Sequence, residues 1–370
     1  MIVSFLGIIA YAIGLGHFIV PLSYYGYLRR YRDKSWAIIV DYKFRPKIAV
    51  ILPTYNESDV IERRLDNLRQ QTYPRELTKV IVVDSSNDGT AELVENFAIS
   101  DVSVELIRES KRTGKLKAIF LALDYVPQDT GAVVLTDADA VWEPDALEKA
   151  MRYLSDPEVA CVTSGITYLQ PEHDVLEHIY RDYYNTVRCC ESKIHSTPIQ
   201  NGPFVAIKAE VLRRVGLPSF TGSDDSIFGS LFALAGYRAI QVDDIIVREP
   251  VRTQSARMIR RAQTLLFNFL LTKRYAKKMG TYRKSSFEKV WRIEWWLNIA
   301  NPWLLLTSAT LIVADIAFGS ILSLGILIVA LALLFLKTAR MWVLHQLYVV
   351  LATIRSARAR AVVWEERNRR

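Results

Sequence analysis

The sequence predicts an α/β domain attached to membrane helices, on the evidence of three features. Between residues 47 and 247, short apolar runs alternate with helical patterns, which is typical of a parallel sheet covered by helices on both faces. Long uncharged blocks stand on either side of this region. The chain of 370 residues is 51% hydrophobic and 11% aromatic, with a mean hydropathy of +0.11, which is too apolar for an ordinary soluble protein.

Charge and cysteine content narrow the classes of protein further. The 47 Lys and Arg residues against 39 Asp and Glu give a net charge of +8, which suits a nucleotide, a phospholipid surface or a nucleic acid as partner. The basic residues concentrate beside the apolar blocks, so a nucleic-acid partner is not expected. Cys161, Cys189 and Cys190 form no Cys-x-x-Cys pair, which argues against a disulfide framework and against a zinc site.

The first element is predicted to be a transmembrane helix over residues 1–28. No charged side chain occurs in this block, and a basic cluster, Arg29, Arg30, Arg32 and Lys34, follows it directly. A cleaved signal peptide is the competing interpretation, but its positive charge would precede the apolar run. The order of the charges therefore favours a retained anchor.

The second apolar block, residues 297–336, is predicted to cross the membrane twice. As a helix it would measure about 60 Å at ~1.5 Å per residue, against a hydrocarbon core ~30 Å thick, so a turn is expected near Gly319 and Ser320. Asp315 is its only charge, and this side chain either has a function or reaches the interface from a helix end. Residues 341–354 form an apolar run of only 14 residues and are predicted to lie in the interface.

The basic segments set the expected orientation. Residues 29–34, 273–292 and 355–370 are rich in Lys and Arg, which places them in the cytosol under the positive-inside rule. The N-terminus is then outside, and the protein is expected to be integral to the cell membrane with a large cytosolic domain. The predicted domains are a transmembrane helix (1–28), a cytosolic α/β domain (29–253), interfacial amphipathic helices (254–296), a transmembrane hairpin (297–336), and an interfacial helix with a basic tail (337–370).

The cytosolic region is predicted to begin with four strands separated by helices. The strands are expected at 48–52, 80–83, 104–107 and 132–135, and the helices at 59–70, 91–98 and 115–123. Because ligands bind beyond the carboxyl ends of the strands in such sheets, the residues that follow the strands carry the chemical information.

Polar sequences follow three of these strands. They are Pro53-Thr54-Tyr55-Asn56-Glu57, Asp84-Ser85-Ser86-Asn87-Asp88-Gly89-Thr90 and Thr136-Asp137-Ala138-Asp139-Ala140. Each alone is ordinary loop sequence, but their coincidence at one edge of one sheet indicates a binding site. Asp137 and Asp139 can jointly hold a hard divalent cation that takes further ligands from substrate phosphates. The sequence therefore predicts a metal–diphosphate site.

These motifs, in this order, resemble the inverting family 2 glycosyltransferases with a GT-A fold. The resemblance covers about residues 48–263. It continues through Arg112-x-Gly114-Lys115, Asn201-Gly202-Pro203-Phe204, Asp224-Asp225 with Gly236-Tyr237, and Gln254-x-x-Arg257. The pattern is similar to the membrane-embedded branch that includes cellulose, chitin and hyaluronan synthases and glucosylceramide synthase. The implied fold is a Rossmann-like nucleotide-diphospho-sugar transferase domain.

The resemblance implies a role for each group of residues. Asp137 and Asp139 would hold Mg²⁺ or Mn²⁺ against the diphosphate, with Asp139 the more direct ligand. Lys115 would reach the base or phosphate, and Arg257, with Arg260, would stabilise the leaving diphosphate. The nucleotide-binding positions would also include Pro53, Thr54, Tyr55, Glu57, Asp84 and Gln254.

Asp225 is the candidate general base. It is the second acid of the Asp-Asp motif, where the family deprotonates its acceptor, and Asp224 would raise its proton affinity through like-charge repulsion. The alternative is a helix start, since Ser223-Asp224-Asp225 before an apolar run is a reasonable capping sequence. The two interpretations are compatible.

Two helical patterns also allow a structural and a functional interpretation. Tyr180, Tyr183, Tyr184 and Val187 at helical spacing predict either core packing or a sugar-stacking platform. Residues 263–278 mix Leu, Phe and basic side chains, which indicates an amphipathic helix at an anionic interface, with a buried helix beneath the sheet as the alternative.

One departure from the family bears on the product. Polymerising members carry Gln-x-x-Arg-Trp, whereas Met258 follows Arg257 here. Together with only three predicted spans, this difference favours single transfers over polymerisation.

The leading hypothesis is a membrane-bound inverting glycosyltransferase. It would move a sugar from a UDP- or GDP-sugar to a hydroxyl group of a lipid or lipid-linked saccharide. The alternatives are a processive polysaccharide synthase, a polyprenyl-phosphate glycosyltransferase, whose anionic acceptor needs no base, and a non-catalytic nucleotide-sugar-binding membrane protein.

Overall fold

The computed structural model describes residues 4–101, 103–169, 175–218, 224–250 and 255–358. Within helices, the side chains of residues 175–177, 180, 224, 225, 257, 357 and 358 lie outside this description. One mixed sheet forms the centre of the α/β part of the chain, and long helices precede and follow this part in sequence.

The sheet contains eight strands within the described residues. In chain order they are β1 (Ile48–Thr54), β2 (Thr78–Asp84), β3 (Val104–Arg108), β4 (Ala132–Leu135), β5 (Val141–Trp142), β6 (Val159–Tyr168), β7 (Val205–Lys208) and β8 (Arg238–Glu249). Their spatial order is β3-β2-β1-β4-β7-β6-β8-β5. The four strands expected from the sequence are all present and pair in parallel, which confirms that half of the prediction.

The other half of the sheet corrects the expectation of a parallel sheet. Strand β7 pairs antiparallel with both β4 and β6, while β6 and β8 are parallel and β5 returns antiparallel against β8. A short, mostly apolar strand looks the same in sequence whichever way it runs, so composition did not reveal the direction of β7.

Helices cover both faces of the sheet. They are α2 (Ile61–Arg69), α3 (Thr90–Ser100), α4 (Lys115–Leu123), α5 (Ala146–Leu154), α6 (Val175–Ile194), α7 (Ala209–Val215) and α8 (Asp224–Leu234). Each face has its own hydrophobic core, one built around Ile81 and Phe228 and the other around Val82 and Trp142. Alternate residues of one strand, such as Ile81 and Val82, enter opposite cores, as the two-residue period of a strand requires.

The remaining helices are long and apolar or amphipathic. They are α1 (Phe5–Arg29), α9 (Ser255–Lys278), α10 (Phe287–Trp295), α11 (Asn301–Ala317), α12 (Ile321–Leu333) and α13 (Lys337–Arg358), with a π-helix over Trp296–Ala300 that joins α10 to α11. Among the described residues, Phe5–Arg29 and Phe287–Ala317 are long and apolar enough to cross a membrane. Helices α12 and α13 meet at 104° and would make a third span only if counted as one.

The boundaries of the C-terminal hairpin differ from those predicted. The turn lies where it was expected, because Gly319 has φ +88° and Ser320 caps α12. However, residue 297 falls inside the π-helix, and α12 has 13 residues, so its length of about 20 Å is short of a ~30 Å hydrocarbon core. Helix α13 also extends well beyond residues 341–354, since the polar side chains at its ends do not stop a helix.

Helix α1 packs along α11 in the antiparallel direction. Ser308 Oγ donates to the carbonyl oxygen of Ala10 at 2.8 Å, and Nδ1 of His17 lies 3.0 Å from the carbonyl oxygen of Asn301. Gly14 permits this approach, because a Cβ atom there would lie 2.8 Å from Ser308 Oγ. The two helices thus form a close pair held by backbone-directed hydrogen bonds.

Asp315 ties three of these helices together. Its carboxylate accepts hydrogen bonds from Ser4 Oγ beside α1 and from Ser323 Oγ of α12, the latter at 2.6 Å, and the side chain is buried. These bonds give the charge of the second apolar block a structural role.

The C-terminal end of α1 contacts helix α6. Tyr24 and Leu28 pack against Val187 and Cys190, and the rings of Tyr25 and Tyr183 stack at 5.2 Å. Tyr183 and Val187 therefore pack between helices, which agrees with the packing interpretation of this pattern. Cys189 and Cys190 are buried and unpaired with each other, as befits core residues.

Candidate active site

Asp84 joins the first two polar loops. Thr54 and Asp84 are register partners at the ends of β1 and β2, and Thr54 Oγ1 donates to Asp84 Oδ1 at 2.6 Å. Ser86 donates to the same carboxylate through its backbone N–H at 3.0 Å and through its hydroxyl at 2.6 Å. Since Asp84 is only 2% exposed, these bonds fix the carboxylate rigidly at the strand end.

The residues after Thr54 are held against the second loop by hydrogen bonds. Asn56 adopts φ +54°, a conformation that asparagine tolerates better than most residues, and its N–H donates to Ser86 Oγ at 2.7 Å. The N–H of Glu57 donates to Thr90 Oγ1 at 2.9 Å, and Glu57 is buried. The structure therefore brings the two predicted nucleoside-binding segments together.

Lys115 reaches the third polar loop. It is the first residue of α4, after Gly114 at φ +98°, and its Nζ donates to Asp137 Oδ1 at 2.7 Å. Both side chains are part-exposed, at 24% and 34%, whereas Asp139 is buried. A lysine from the third βα connection thus contacts the Asp137–Asp139 turn after β4, and its predicted contact with the nucleotide stays a prediction.

Tyr55 lies beside the same connection. The guanidinium of Arg112 stands 3.8 Å from the centre of the Tyr55 ring, which is close for a cation–π contact. Pro53, at the end of β1, is paired in register with Val83 of β2. The cofactor-binding residues predicted on β1, β2 and α4 therefore lie along one edge of the sheet.

The donor set suits one hard divalent cation with a phosphate ligand. Asp137 and Asp139 supply carboxylate oxygens one residue apart, and no group of three or more His, Cys, Asp or Glu side chains in the described ranges is placed to hold a metal. Two protein carboxylates with substrate phosphates completing the coordination is the pattern that Mg²⁺ and similar ions adopt. The residues present fit the predicted ion in that mode.

The predicted base and leaving-group residues lie at helix starts. Asp224 and Asp225 begin α8, and Arg257 lies in the first turn of α9, but these three side chains and the whole of Gln254 are outside the described part of the chain. The next residue of α8, Ser226, accepts a hydrogen bond from the N–H of Gln200 at 3.3 Å. The helix start at Asp224 agrees with the capping interpretation, and the roles of these residues stay predictions.

Helix α9 fits the buried-helix alternative over its middle part. Asn268, Thr272 and Ala276 are fully buried, and Phe269 packs in the core around Phe228. Arg260, near the start of α9, is part-buried. One face of this helix is therefore buried, whereas Leu270 and Arg274 are exposed.

Arg64 is a residue of this region that the sequence analysis missed. It lies on the buried face of α2 with Ile61, Leu65 and Leu68, and its Nη2 donates to Thr136 Oγ1 at 2.7 Å, next to Asp137. The signal was present, since a basic residue interrupts the apolar positions at i, i+3, i+4 and i+7 of an amphipathic helix. Burial lowers the pKa of Arg64 to about 9, an effect partly offset by attraction to Asp137, so the guanidinium stays charged at neutral pH.

Comparison with known proteins agrees with this arrangement of strands and loops. The family model described as glycosyl transferase family 2 matches residues 49–216. A solved structure of mannosyltransferase PcManGT from Pyrobaculum calidifontis, in complex with GDP-Man and Mn²⁺, is 37% identical, with a TM-score of 0.84. That similarity covers 95% of this chain and 99% of the mannosyltransferase.

The chain belongs to glycosyl transferase family 2. Two curated relatives of this family 2 glycosyltransferase are glycosyltransferase AglE from Haloferax volcanii, 26% identical over 56% of this chain, and hyaluronan synthase from Streptococcus pyogenes, 24% identical over 45%. The aligned parts span 68% of AglE but only 41% of the hyaluronan synthase. The expected family and the GT-A type of α/β fold are thereby confirmed.

Proposed function

We propose that this family 2 glycosyltransferase transfers one sugar, with inversion, from a nucleoside-diphosphate sugar to a hydroxyl group of a lipid or lipid-linked saccharide. The observation that carries the proposal is the meeting of Asp84, Lys115 and Asp137 with their loops at one edge of the sheet. At this edge, the buried carboxylate of Asp84 would bind the nucleoside. Lys115 and the carboxylates of the Asp137–Asp139 turn would bind the metal and the diphosphate.

GDP-mannose is the first donor to test. The mannosyltransferase from Pyrobaculum calidifontis shares 37% identity over nearly the whole chain, and its structure holds GDP-Man and Mn²⁺. The nucleoside would lie against Thr54, Tyr55, Glu57 and Asp84, because these side chains line the ends of β1 and β2.

Asp137 and Asp139 would hold the divalent cation. When bound, the ion supplies Lewis-acid stabilisation of the charge that develops on the departing diphosphate. Lys115, whose Nζ contacts Asp137, adds a fixed positive charge on the phosphate side, and Arg257 with Arg260 would add more from α9. The chain's own cations thus share the neutralisation of the leaving group.

Asp225 would accept the proton of the acceptor hydroxyl. Its position at the start of α8 suits this role, since the N–H of Gln200 donates to the hydroxyl of Ser226 and holds the first turn of the helix to the segment between α6 and β7. Attack on the anomeric carbon from the face opposite the diphosphate forms the new glycosidic bond, breaks the bond to the diphosphate and inverts the configuration.

The acceptor would reach the site from a membrane. Helices Phe5–Arg29 and Phe287–Ala317 have the length and composition of spans, and the basic segments favour a cytosolic catalytic domain. The proposed domains keep the predicted divisions, with residues 29–253 cytosolic and 254–296 and 337–370 at the interface. Met258 after Arg257, and so few apolar helices, support a single transfer rather than polymerisation.

A donor screen with the purified full chain in lipid nanodiscs tests the proposal. GDP-mannose and several UDP-sugars are supplied with Mn²⁺ or Mg²⁺ and an extract of membrane lipids, and both nucleoside diphosphate and glycosylated lipid are measured. We expect GDP release that is coupled to a lipid product carrying one added sugar. Long polysaccharide would instead identify a processive synthase, and no release with any donor would identify a non-catalytic binding protein.

A further inference from the structure

A buried arginine lies beneath the turn that carries the two predicted metal ligands. Arg64 is 1% exposed and occupies the apolar face of α2 between Ile61 and Leu65. Burying a guanidinium costs free energy unless its N–H groups and its charge are compensated. The partners of Arg64 therefore indicate what it does.

The hydrogen bonds of Arg64 reach both sides of the turn. Nη2 donates to Thr136 Oγ1 at 2.7 Å, and Nη1 donates to Asn67 Oδ1 at 2.5 Å. Asn67 in turn bonds both backbone groups of Trp142, accepting from its N–H and donating to its carbonyl, each at 2.9 Å. The guanidinium also lies 4.1 Å from the centre of the Trp142 ring.

Thr136 and Trp142 bracket the acidic turn in sequence. Thr136 immediately precedes Asp137, and Trp142 follows Asp139 by three residues. Both bracketing residues also donate to one acceptor, the carbonyl oxygen of Pro203, at 2.9 Å from Thr136 Oγ1 and 2.9 Å from Trp142 Nε1. The two ends of the turn are thus held by the same side chain and the same carbonyl group.

The charge of Arg64 also faces the turn. Asp137 lies close enough to attract this charge, and among the described residues the Nε of Arg64 has no hydrogen-bond partner. An apolar side chain of similar size would fill this space without leaving a buried N–H unsatisfied. Packing alone therefore does not account for an arginine here.

We propose that Arg64 is a positioning residue for the divalent cation: it fixes Thr136 and Trp142 so that the Asp137 and Asp139 carboxylates are presented together. The inference rests on the proposed function, in which these two acids hold the metal. Arg64 itself does not touch the cation or the substrate.

Arginine and lysine differ in the property that matters here. The planar guanidinium reaches Asn67 and Thr136 with separate N–H groups while stacking on Trp142, whereas a single ammonium group cannot reproduce that fork. Arg64→Lys therefore keeps the charge and removes the paired hydrogen bonds to Asn67 and Thr136. Thr136→Val keeps the shape of the threonine side chain and removes the atom through which Arg64 acts.

The experiment measures Mn²⁺ binding directly. The full chain in nanodiscs is titrated with Mn²⁺, alone and with GDP, and free Mn²⁺ is followed by electron paramagnetic resonance. We expect Arg64→Lys and Thr136→Val each to raise the Mn²⁺ Kd by about 10–100-fold, the usual effect of losing an outer-shell partner. We expect the double variant to have the same Mn²⁺ Kd as the weaker-binding single variant, because both changes remove the same Arg64–Thr136 hydrogen bond.

A matched control separates positioning from folding. Arg238 is also buried, at 6% exposure, but it donates to the carbonyl groups of Ala37, Ser192 and His195, away from the acidic turn. Arg238→Met is expected to lower thermal stability and to leave the Mn²⁺ Kd unchanged.

Two results would overturn the inference. One is wild-type Mn²⁺ affinity in Arg64→Lys, and the other is a double variant in which the reductions in Mn²⁺ affinity of the two single variants simply add. Should Arg64→Lys fail to fold, Thr136→Val decides, because it leaves the arginine in place. Absence of Mn²⁺ binding by the wild-type chain with GDP would instead overturn the metal role in the proposed function.

Discussion

At the scale of single residues, the polar side chains at the strand ends hold the neighbouring loops by hydrogen bonds. Asp84 accepts from Thr54 and Ser86, so this carboxylate organises two loops. Asp137 is more exposed, and its described contact is with Lys115, a long side chain that can move. Asp139 is buried, so the two acids of this turn differ in exposure.

The first prediction concerns metal removal. If Asp139 ligates the cation, Asp139→Ala and excess EDTA should each lower sugar transfer by about 10³-fold or more, because a metal at a diphosphate contributes several kcal/mol. Thermal unfolding checks that the variant keeps its fold. Asp145→Ala, an exposed acid paired with Lys149 nearby, serves as the control and should keep its activity. Full activity in excess EDTA would contradict the metal assignment.

The second prediction separates proton transfer from donor binding. Asp225→Asn keeps the shape of the side chain and removes the base, so the rate of the chemical step should fall by roughly 10²–10⁴-fold. The affinity for GDP should stay within about twofold, since only a transition-state interaction is lost. Single-turnover kinetics and nucleotide titration measure the two quantities.

The same variant reports on the acceptor. Near-normal turnover in Asp225→Asn would mean either that Asp224 is the base or that the acceptor is a lipid phosphate, which carries no proton to remove. Asp224→Asn distinguishes these cases, because only the first predicts a loss in that variant.

At the scale of elements, the sequence was most informative where one segment decides its own structure. Helix α4 has the predicted bounds, and the turn at Gly319 lies where a 40-residue apolar block must reverse. The direction of β7 was not predictable, because it depends on pairing with β4 and β6, which are distant in sequence. Arg64 was missed for a related reason, since Thr136, directly after β4, and Trp142, in β5, are distant from it in sequence.

The third prediction tests the packing of α1 on α11. A Cβ atom on Gly14 would lie 2.8 Å from Ser308 Oγ, whereas no described atom lies within 4 Å of a Cβ on Gly16. Gly14→Leu should therefore destabilise the protein by about 1–3 kcal/mol, the usual cost of overpacking. Gly16→Leu on the same helix should cost much less. Thermal unfolding of both variants in nanodiscs makes the comparison, and equal losses would show that α1 and α11 do not pack as described.

At the scale of the whole molecule, the family and its fold followed from the order of short motifs rather than from any one of them. The motifs lie on different strands, and the parallel register of β1, β2 and β4 carries them to one edge. The membrane arrangement was less predictable, because apolar length alone does not separate a span from a helix that bends, as α12 and α13 do.

The fourth prediction concerns topology. Phe318, 84% exposed, lies in the turn predicted outside, and Met279, 54% exposed, lies in the basic segment predicted inside. With a membrane-impermeant maleimide, Phe318→Cys should be labelled in intact cells, and Met279→Cys only after permeabilisation. The native cysteines are buried, so the unmodified chain provides the background. Labelling of both positions from the same side would contradict the hairpin.

The pairing of α1 with α11 also has a consequence for biosynthesis. Their contact joins His17 to Asn301, which are 284 residues apart. At a translation speed of about 5–20 residues per second, α11 is synthesised roughly 15 to 60 s after α1. Throughout that time the face of α1 toward α11 and its buried histidine have no native cover, although the α/β domain between the two helices can already fold. A late step of assembly is therefore the arrival of α11 beside a helix synthesised long before it.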